Sequence, residues 1–439
     1  MPASIVDIDE IMSRPVSAIL DPCNQDEFIR VFPAKDANKH IHLLASSGSG
    51  KTELLKILFI KKAEENNSSI IIFDQNGDFS KECAMMFKDK KRFIYINLGL
   101  YRKRTPCINP FRVKLDEETI AVIAQELVNA FEGILKTEFS DNMEAILLPC
   151  IYVLLNKGNS GLDELIKFMN NDKELITLGY ESPIPSHKNF FQTQFMKDKF
   201  NVTKNALATK LQVFLNNPIF ANFITGDSTI NLEKELNTKG KIIIVNFPKD
   251  KMRRTLEPAA KLTMALIQGI ILKRANEPKE SRVQTYLFLD EVQNFTGPTL
   301  NEMLAESRKN NLSVIGAHQN LTQLDLKLRD VLFSNALIKI VGYNSNKDFR
   351  VMADEIDVDI ARLKQLKRGD FFVKIASAPA ILIHTTDKYI DNKFTISLEA
   401  WIENMKHQKK NYYRKIDNFT SIQKILTNND TLPAFTADD

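Results

Sequence analysis

Cysteine, histidine and tryptophan are scarce in this chain of 439 residues, which holds four, six and one of them respectively. Cys23, Cys83, Cys107 and Cys150 are scattered, with no C-x-x-C spacing and no histidines clustered beside them. Neither a disulfide framework nor a zinc site is expected, and a reducing compartment fits. The histidines show no metal spacing; His40 and His42 alternate along one strand, where packing is the better reading. No apolar run approaches the roughly 20 residues that a membrane helix needs. The opening MPASIVDIDEIMSRP carries acidic residues and lacks the apolar stretch of a signal peptide. One-sided charge is missing too: 59 Lys and Arg against 55 Asp and Glu leave +4, which excludes a histone-like or polybasic coat protein. A locally basic channel remains compatible with that balance. The expectation is a cytoplasmic protein with no direct membrane insertion, reaching a membrane only through a partner.

What the chain does have is core-forming sequence. Hydrophobic residues make up 44% and charged residues 26%, over a length that suits two to three domains. His40–Ala45, Ser69–Asp74 and Arg92–Asn97 are β-branched or aromatic and apolar on both faces, the pattern of strands buried in a parallel sheet. Thr52–Asn66 reads as a helix between the first two, completing a strand–turn–helix–strand unit. An earlier strand is expected at Phe28–Phe32. From about Asp116 to Glu235 apolar residues recur every three or four positions, as in Glu117–Leu135, Asn142–Leu155 and Ala206–Leu215, which predicts helices. Strands resume at Lys241–Phe247, Thr285–Asp290, Leu312–Ala317 and Leu337–Val341, with a closing pair at Phe371–Ile375 and Ala380–His384. A long helix is expected over Leu256–Ala275. The expected organisation is an α/β domain formed by residues 39–115 and 236–396, with a mostly parallel sheet. An all-helical insertion of residues 116–235 interrupts it, a lead-in of residues 1–38 precedes it, and a polar helical tail of residues 397–439 follows.

Three segments carry chemistry. The first, Ala45-Ser46-Ser47-Gly48-Ser49-Gly50-Lys51-Thr52, follows a strand and opens a helix. It is a P-loop with Ala in place of the first Gly. Small residues let backbone N–H groups of Ser47, Gly48, Ser49 and Gly50 wrap phosphates at a helix N-terminus. Lys51 then bridges the β- and γ-phosphates of ATP, and the Thr52 hydroxyl holds Mg2+. The second, Thr285–Glu291, is an apolar strand ending in two carboxylates: Asp290 suits the Mg2+ shell and Glu291 a general base on water. Asp74, at the tip of FDQNGD, is either a further metal-side carboxylate or a turn former ahead of Asn-Gly. The third runs from Leu304 to Asn320. It predicts a helix ending at Arg308-Lys309, an Asn-Asn turn and a strand ending at Gln319. Gln319 is placed to sense a γ-phosphate, or is simply a polar strand end. Arg308 is either an arginine finger aimed at a neighbouring subunit or a solvated helix end.

The set resembles the HerA/FtsK-like P-loop ATPases, most closely the type IV secretion coupling proteins of the TraG/TraD kind, here without membrane helices. NKHIHLLASSGSGKTELLK is similar to that family's P-loop entry, IIIFDQNGDF to its second-strand turn, and CINPF to its segment before the helical insertion. LFLDEVQNF and LAESRKNNLSVIGAHQNLTQL follow in the family's order, and LKRGDFFVKIASAPAILI is similar to its terminal hairpin. The resemblance implies a RecA-like nucleotide-binding domain interrupted by an all-helical domain, acting as a ring, in the family a hexamer. ATP would lie between subunits and DNA in the pore, with Arg308 as the trans-acting finger and Gln319 as the nucleotide sensor. The activity implied is ATP-driven transport of single- or double-stranded DNA in conjugation, with a relaxase or secretion channel as partner. Three further readings remain: a HerA-like translocase working with a nuclease or effector in end processing or defence, a secretion-assembly ATPase that powers protein export, and a substrate-receptor adaptor using ATP for assembly. Lys88–Arg92, Arg102–Arg104 and Lys249–Arg254 are candidates to line a pore. Lys406–Lys415, with Tyr412 and Tyr413, suits strand stacking or a protein partner.

Overall fold

Isoleucine-rich strands whose neighbouring residues point to opposite faces, both buried, force a sheet covered on two sides. In the strand Ser68–Asp74 all seven residues are buried. Ile70 and Ile72 pack into one core, and Ile71 and Phe73 into another on the opposite face. Each such isoleucine contributes about 1.5–3 kcal/mol by leaving water. The computed structural model describes residues 18–20, 28, 30–33, 36, 38–112, 117–385 and 395–416.

In chain order, β1 (Ala18–Leu20) and β2 (Ile41–Leu44) are followed by α1 (Lys51–Glu64), β3 (Ser68–Asp74), α2 (Asp78–Ala84), β4 (Phe93–Asn97) and the short β5 (Arg104–Thr105). A helical stretch follows: α3 (Glu117–Leu135), α4 (Asp141–Lys157), α5 (Leu162–Met169), α6 (Lys173–Tyr180), α7 (Pro185–Thr193), α8 (Asn201–Leu215), α9 (Pro218–Ile224) and α10 (Leu232–Leu236). Next come β6 (Ile242–Asn246), α11 (Lys249–Met252), α12 (Leu256–Lys273), β7 (Gln284–Asp290), α13 (Pro298–Glu306), β8 (Leu312–His318), α14 (Leu326–Asn335) and β9 (Ile338–Gly342). The described chain closes with α15 (Asn346–Ile356), α16 (Ile360–Leu363), β10 (Asp370–Ile375), β11 (Ile381–Thr385), α17 (Leu398–Tyr412) and β12 (Arg414–Lys415).

Ten strands form one sheet in the order β1-β11-β10-β9-β2-β8-β7-β3-β6-β4. Every pairing in it is parallel except the two made by β10. The strand that leads into the P-loop, β2, therefore does not touch the carboxylate strand β7. Strand β8 lies between them, so its tip sits where both ends converge.

One hydrophobic core runs from Ile71 and Phe73 of β3 through α12 into α3 and α4, so the helical stretch shares its apolar interior with one face of the sheet. Within α12 only Glu257, Leu272 and Lys273 escape burial. Around it, the helical stretch Lys249–Asn276 is long and apolar enough to cross a membrane, contrary to the expectation that no run approaches that length. Its apolar window is 89% buried inside the fold, which is the physical reason for its composition.

Two other expectations change. Phe28–Phe32 is not a strand: the Phe32 N–H donates to the Phe28 carbonyl at 2.7 Å, a helical turn. Phe28, Val31 and Phe32 stand at helical spacing and all pack into the α1-side core. Tyr413 is not available for stacking on a strand. It is buried, and its hydroxyl donates to the Tyr95 carbonyl at 2.8 Å and accepts the Asn97 N–H at 2.9 Å. With Gln408, whose amide bonds the Phe93 carbonyl and the Tyr95 N–H, it fastens α17 over the edge strand β4. Cys23, the junction expected at 115–116 and the acidic end of the tail lie outside the described residues.

Candidate active site

The turn after β2 is held from both sides. The Ala45 N–H donates to the His318 carbonyl at 3.2 Å, and the Ser46 N–H and hydroxyl both donate to the Tyr343 carbonyl at 2.9 Å. The Gly369 N–H donates to the Ser49 carbonyl at 2.8 Å. Within the loop the Ser49 hydroxyl donates to the Ser46 carbonyl at 2.7 Å, so Ser49 shapes the turn and offers its backbone rather than its side chain. Gly48 and Gly50 adopt φ +77° and +99°, the left-handed region that side chains resist. A Cβ at Gly50 would stand 3.3 Å from the Gly369 backbone, whereas at Gly48 it would meet open space. Ser47 and Gly48 are exposed, and no side chain caps α1, so none of its first N–H groups is taken by a capping side chain. Loop and donor set together fit a polyphosphate.

Lys51 opens α1 and is buried. Its Nζ donates to Asp290 Oδ1 at 2.9 Å and to Glu291 Oε1 at 2.8 Å. Burial alone would lower the Lys51 pKa, but the Asp290 and Glu291 carboxylates outweigh it and leave the pKa raised. Asp290, at the end of β7, is raised by burial against the pull of Lys51. Glu291 moves the other way: burial raises it, but Lys51 and the amides of Gln293 and Gln319 overcome that and hold it low. The Gln319 side chain donates to Glu291 Oε1 at 2.7 Å, and Gln293 to Oε2 at 2.8 Å. Glu291 itself sits at φ +65°, an uncommon place for a non-glycine residue. Thr52, next after Lys51, is half-buried on the first turn of α1. An oxygen donor at Thr52 and a carboxylate at Asp290 are the ligand chemistry Mg2+ takes.

Lys51, Asp290, Glu291 and Gln319 thus converge at the carboxyl-terminal edge of the sheet. Arg308 does not join them. It is exposed on the 3-10 turn Ser307–Asn310, ahead of β8, and its charge reaches His40 just before β2. The seven residues of β8 separate that turn from Gln319, about 20 Å at strand rise. Asp74 is a turn former: its carboxylate accepts the N–H groups of Asn76, Gly77 and Ser80 at 2.9, 3.0 and 2.8 Å. Among the candidate pore lysines and arginines, Arg92 donates to the Gly240 carbonyl and Lys251 to the Gly99 carbonyl, which are structural uses. Sequence reasoning did not single out Gln293, or Asn344, whose amide donates to the Gln319 carbonyl at 2.8 Å. The adjacent amides in D-E-V-Q-N were the only local signal for the first.

Three histidines in or beside these strands are held neutral. Burial pushes His40 and His318 down to about 4, and burial beside the His318 ring and Lys339 holds His42 well below its ordinary value. The unfolded chain takes up these protons near its ordinary 6.5 while the folded chain refuses them. Stability is therefore unaffected above that value and falls as pH drops from 6.5 toward 4, by about 1.4 kcal/mol per pH unit for each histidine. Thermal melts across this window are expected to fall less steeply in His40→Asn. That variant loses one titration yet keeps an acceptor for the Val314 N–H, which His40 Nδ1 holds at 2.9 Å.

Residues 30–342 match the family described as type IV secretion-system coupling protein DNA-binding domain. Among solved structures, the chain resembles the bacterial conjugative coupling protein TrwBdeltaN70 in an unbound form. Identity is 16% and TM-score 0.59, over 83% of this chain and 89% of that one. Plasmid coupling protein TrwB in complex with ADP and Mg2+ matches at 17% identity and TM-score 0.57, over 83% and 90%. VirB4 of Thermoanaerobacter pseudethanolicus matches at 17% and 0.54, over 80% and 90%. At these identities the likeness establishes the RecA-type P-loop fold. No curated protein matches the chain.

Proposed function

The chain belongs to the type IV secretion-system coupling protein family, and on that premise we propose that it is a Mg2+-dependent ATPase that works as a ring, most simply a hexamer, and drives DNA through its centre in conjugative transfer. The observation that carries the reading is the buried contact of Lys51 with both Asp290 and Glu291, with Gln319 bonded to the same Glu291 oxygen. A cation placed between a P-loop and two strand-end carboxylates is poised to exchange them for phosphate oxygens.

On that reading, the backbone of Ser47 to Gly50 wraps the phosphates, and Lys51 leaves the carboxylates to lie against the β- and γ-oxygens. Thr52 and Asp290 hold Mg2+, which when bound neutralises charge that develops on those oxygens. Glu291 takes the proton from the attacking water. Gln319 hydrogen-bonds Glu291 and senses the γ-phosphate through it, while Arg308 enters from the adjacent subunit. ATP as the nucleotide and Mg2+ as the metal are supported by this donor set and by the TrwB complex with ADP and Mg2+. DNA as the cargo is supported by the family match.

The test is steady-state ATPase rate with and without single- and double-stranded DNA, read beside native mass. The expected result is stimulation by one DNA form in a species that is a ring. A ring that hydrolyses ATP at a rate indifferent to both DNA forms would overturn DNA transport. In the same assay Lys51→Ala is expected to be inactive. Loss of a charged hydrogen bond to phosphate should weaken ATP binding about 10- to 100-fold, measured by titration with a fluorescent nucleotide.

A further inference from the structure

Two buried histidines have no part in that scheme. His42 lies on β2, and His318 is the last residue of β8, immediately before Gln319. Neither exposes any surface. Their rings stack 4.9 Å apart at 7°, with Nε2 atoms 2.7 Å from each other. The hydrogen bonds fix the tautomers. His318 Nδ1 lies 3.0 Å from the Asn320 carbonyl, which only accepts, so that nitrogen carries the proton. In a neutral ring His318 Nε2 is then the acceptor, and His42 Nε2–H must be the donor. The leftover lone pair falls on His42 Nδ1, which is the buried nitrogen without a partner. The bonds therefore run one way, from the P-loop strand into His318 and on to the carbonyl just past Gln319.

The same tip is also held from its own loop and from the loop after β9, on the far side of β2. The Gln323 side chain accepts the N–H groups of Gln319 and Asn320 at 3.3 and 3.2 Å, and Asn344 donates to the Gln319 carbonyl. The backbone bond from Ala45 to the His318 carbonyl adds a second tie to the start of the P-loop. We infer that His42 and His318 are positioning residues that lock the tip of β8 to the P-loop strand and thereby hold the Gln319 amide on Glu291. They touch no nucleotide; they set where the sensor stands relative to the loop that binds it.

This inference rests on the proposed roles of Glu291 and Gln319, and the experiment separates the two. In the full chain, His318→Leu is expected to lower ATP turnover about 10-fold, the loss of roughly one well-placed hydrogen bond, with ATP affinity changed less than about 2-fold. His318→Asn, whose amide N–H replaces Nδ1–H toward Asn320, should recover most of that loss. His42→Gln, whose amide replaces Nε2–H, should likewise outperform His42→Leu. In a Gln319→Ala background His318→Leu should cost nothing further, because the group it positions is gone. A fully additive loss, an Asn variant no better than Leu, or a defect in ATP binding rather than turnover would each overturn the inference. Should His318→Leu fail to fold, His42→Leu breaks the same connection from the other strand and enters the cycle in its place. Wild-type turnover in Gln319→Ala or Glu291→Gln would instead overturn the proposed function.

Discussion

Glu291→Gln is expected to reduce ATP turnover by about 10^2- to 10^4-fold, the usual worth of a general base, while leaving ATP binding and the folded state in place. The substitution is isosteric: its oxygen can keep accepting from Lys51 and Gln319, and its NH2 can meet Gln293 once that amide turns over to present its unpartnered Oε1. What it removes is basicity. Without nucleotide, Lys51 shares its ammonium between Asp290 and Glu291 and helps hold Glu291 low. On the proposed mechanism Lys51 turns to a phosphate, and Glu291, still buried, loses the nearest charge that holds it low. On the proposed roles, Lys51 would thus restrain Glu291 as a base until a phosphate draws that cation away. Single-turnover hydrolysis of bound ATP checks the claim. Undiminished hydrolysis in Glu291→Gln would remove Glu291 from the role.

The P-loop was legible because its sequence and its context, strand before and helix after, point the same way. Lys51 and Thr52 open α1 as that context requires. Asp290 and Glu291 were legible because an apolar strand ends on them, and Gln319 because it follows the next such strand. Adjacency across the sheet was not legible. Nothing local says that β8 lies between β2 and β7, or that Tyr343, 297 residues away, supplies the carbonyl that anchors Ser46. The His42–His318 pair spans 276 residues, so for the same reason local sequence suggests packing for His42 and nothing for His318. The turn at Phe28–Phe32 misled because aromatic residues raise strand propensity, while the contacts that decide it are long-range ones into the α1-side core. Charged residues at the ends of α12 mask the length of its apolar middle, which is buried throughout. Asp74 illustrates a tie that only geometry breaks: three backbone N–H groups claim the carboxylate, leaving a turn former where the sequence allowed a metal ligand.

Arg308→Ala is expected to produce the largest loss, about 10^3- to 10^5-fold in turnover if the residue serves as a finger, with ATP binding to each subunit preserved. Arg308 lies at the opposite end of β8 from Gln319, about 20 Å along the strand and far beyond the reach of its side chain to its own Lys51. Any role in hydrolysis must therefore be played in a neighbour, through a head-to-tail contact in which one subunit's P-loop edge faces the next subunit's Ser307–Asn310 turn. That geometry makes a prediction no single variant can. Arg308→Ala and Glu291→Gln subunits are each inactive alone, but mixed equally they place an intact Glu291 against an intact Arg308 at about a quarter of randomly formed interfaces. Activity should reappear on mixing, in proportion to those interfaces. An arginine acting within its own subunit gives no recovery, and an arginine that merely ends its helix gives full activity in the single variant. Only a trans-acting group is inactive by itself and complemented by a partner that carries the other defect.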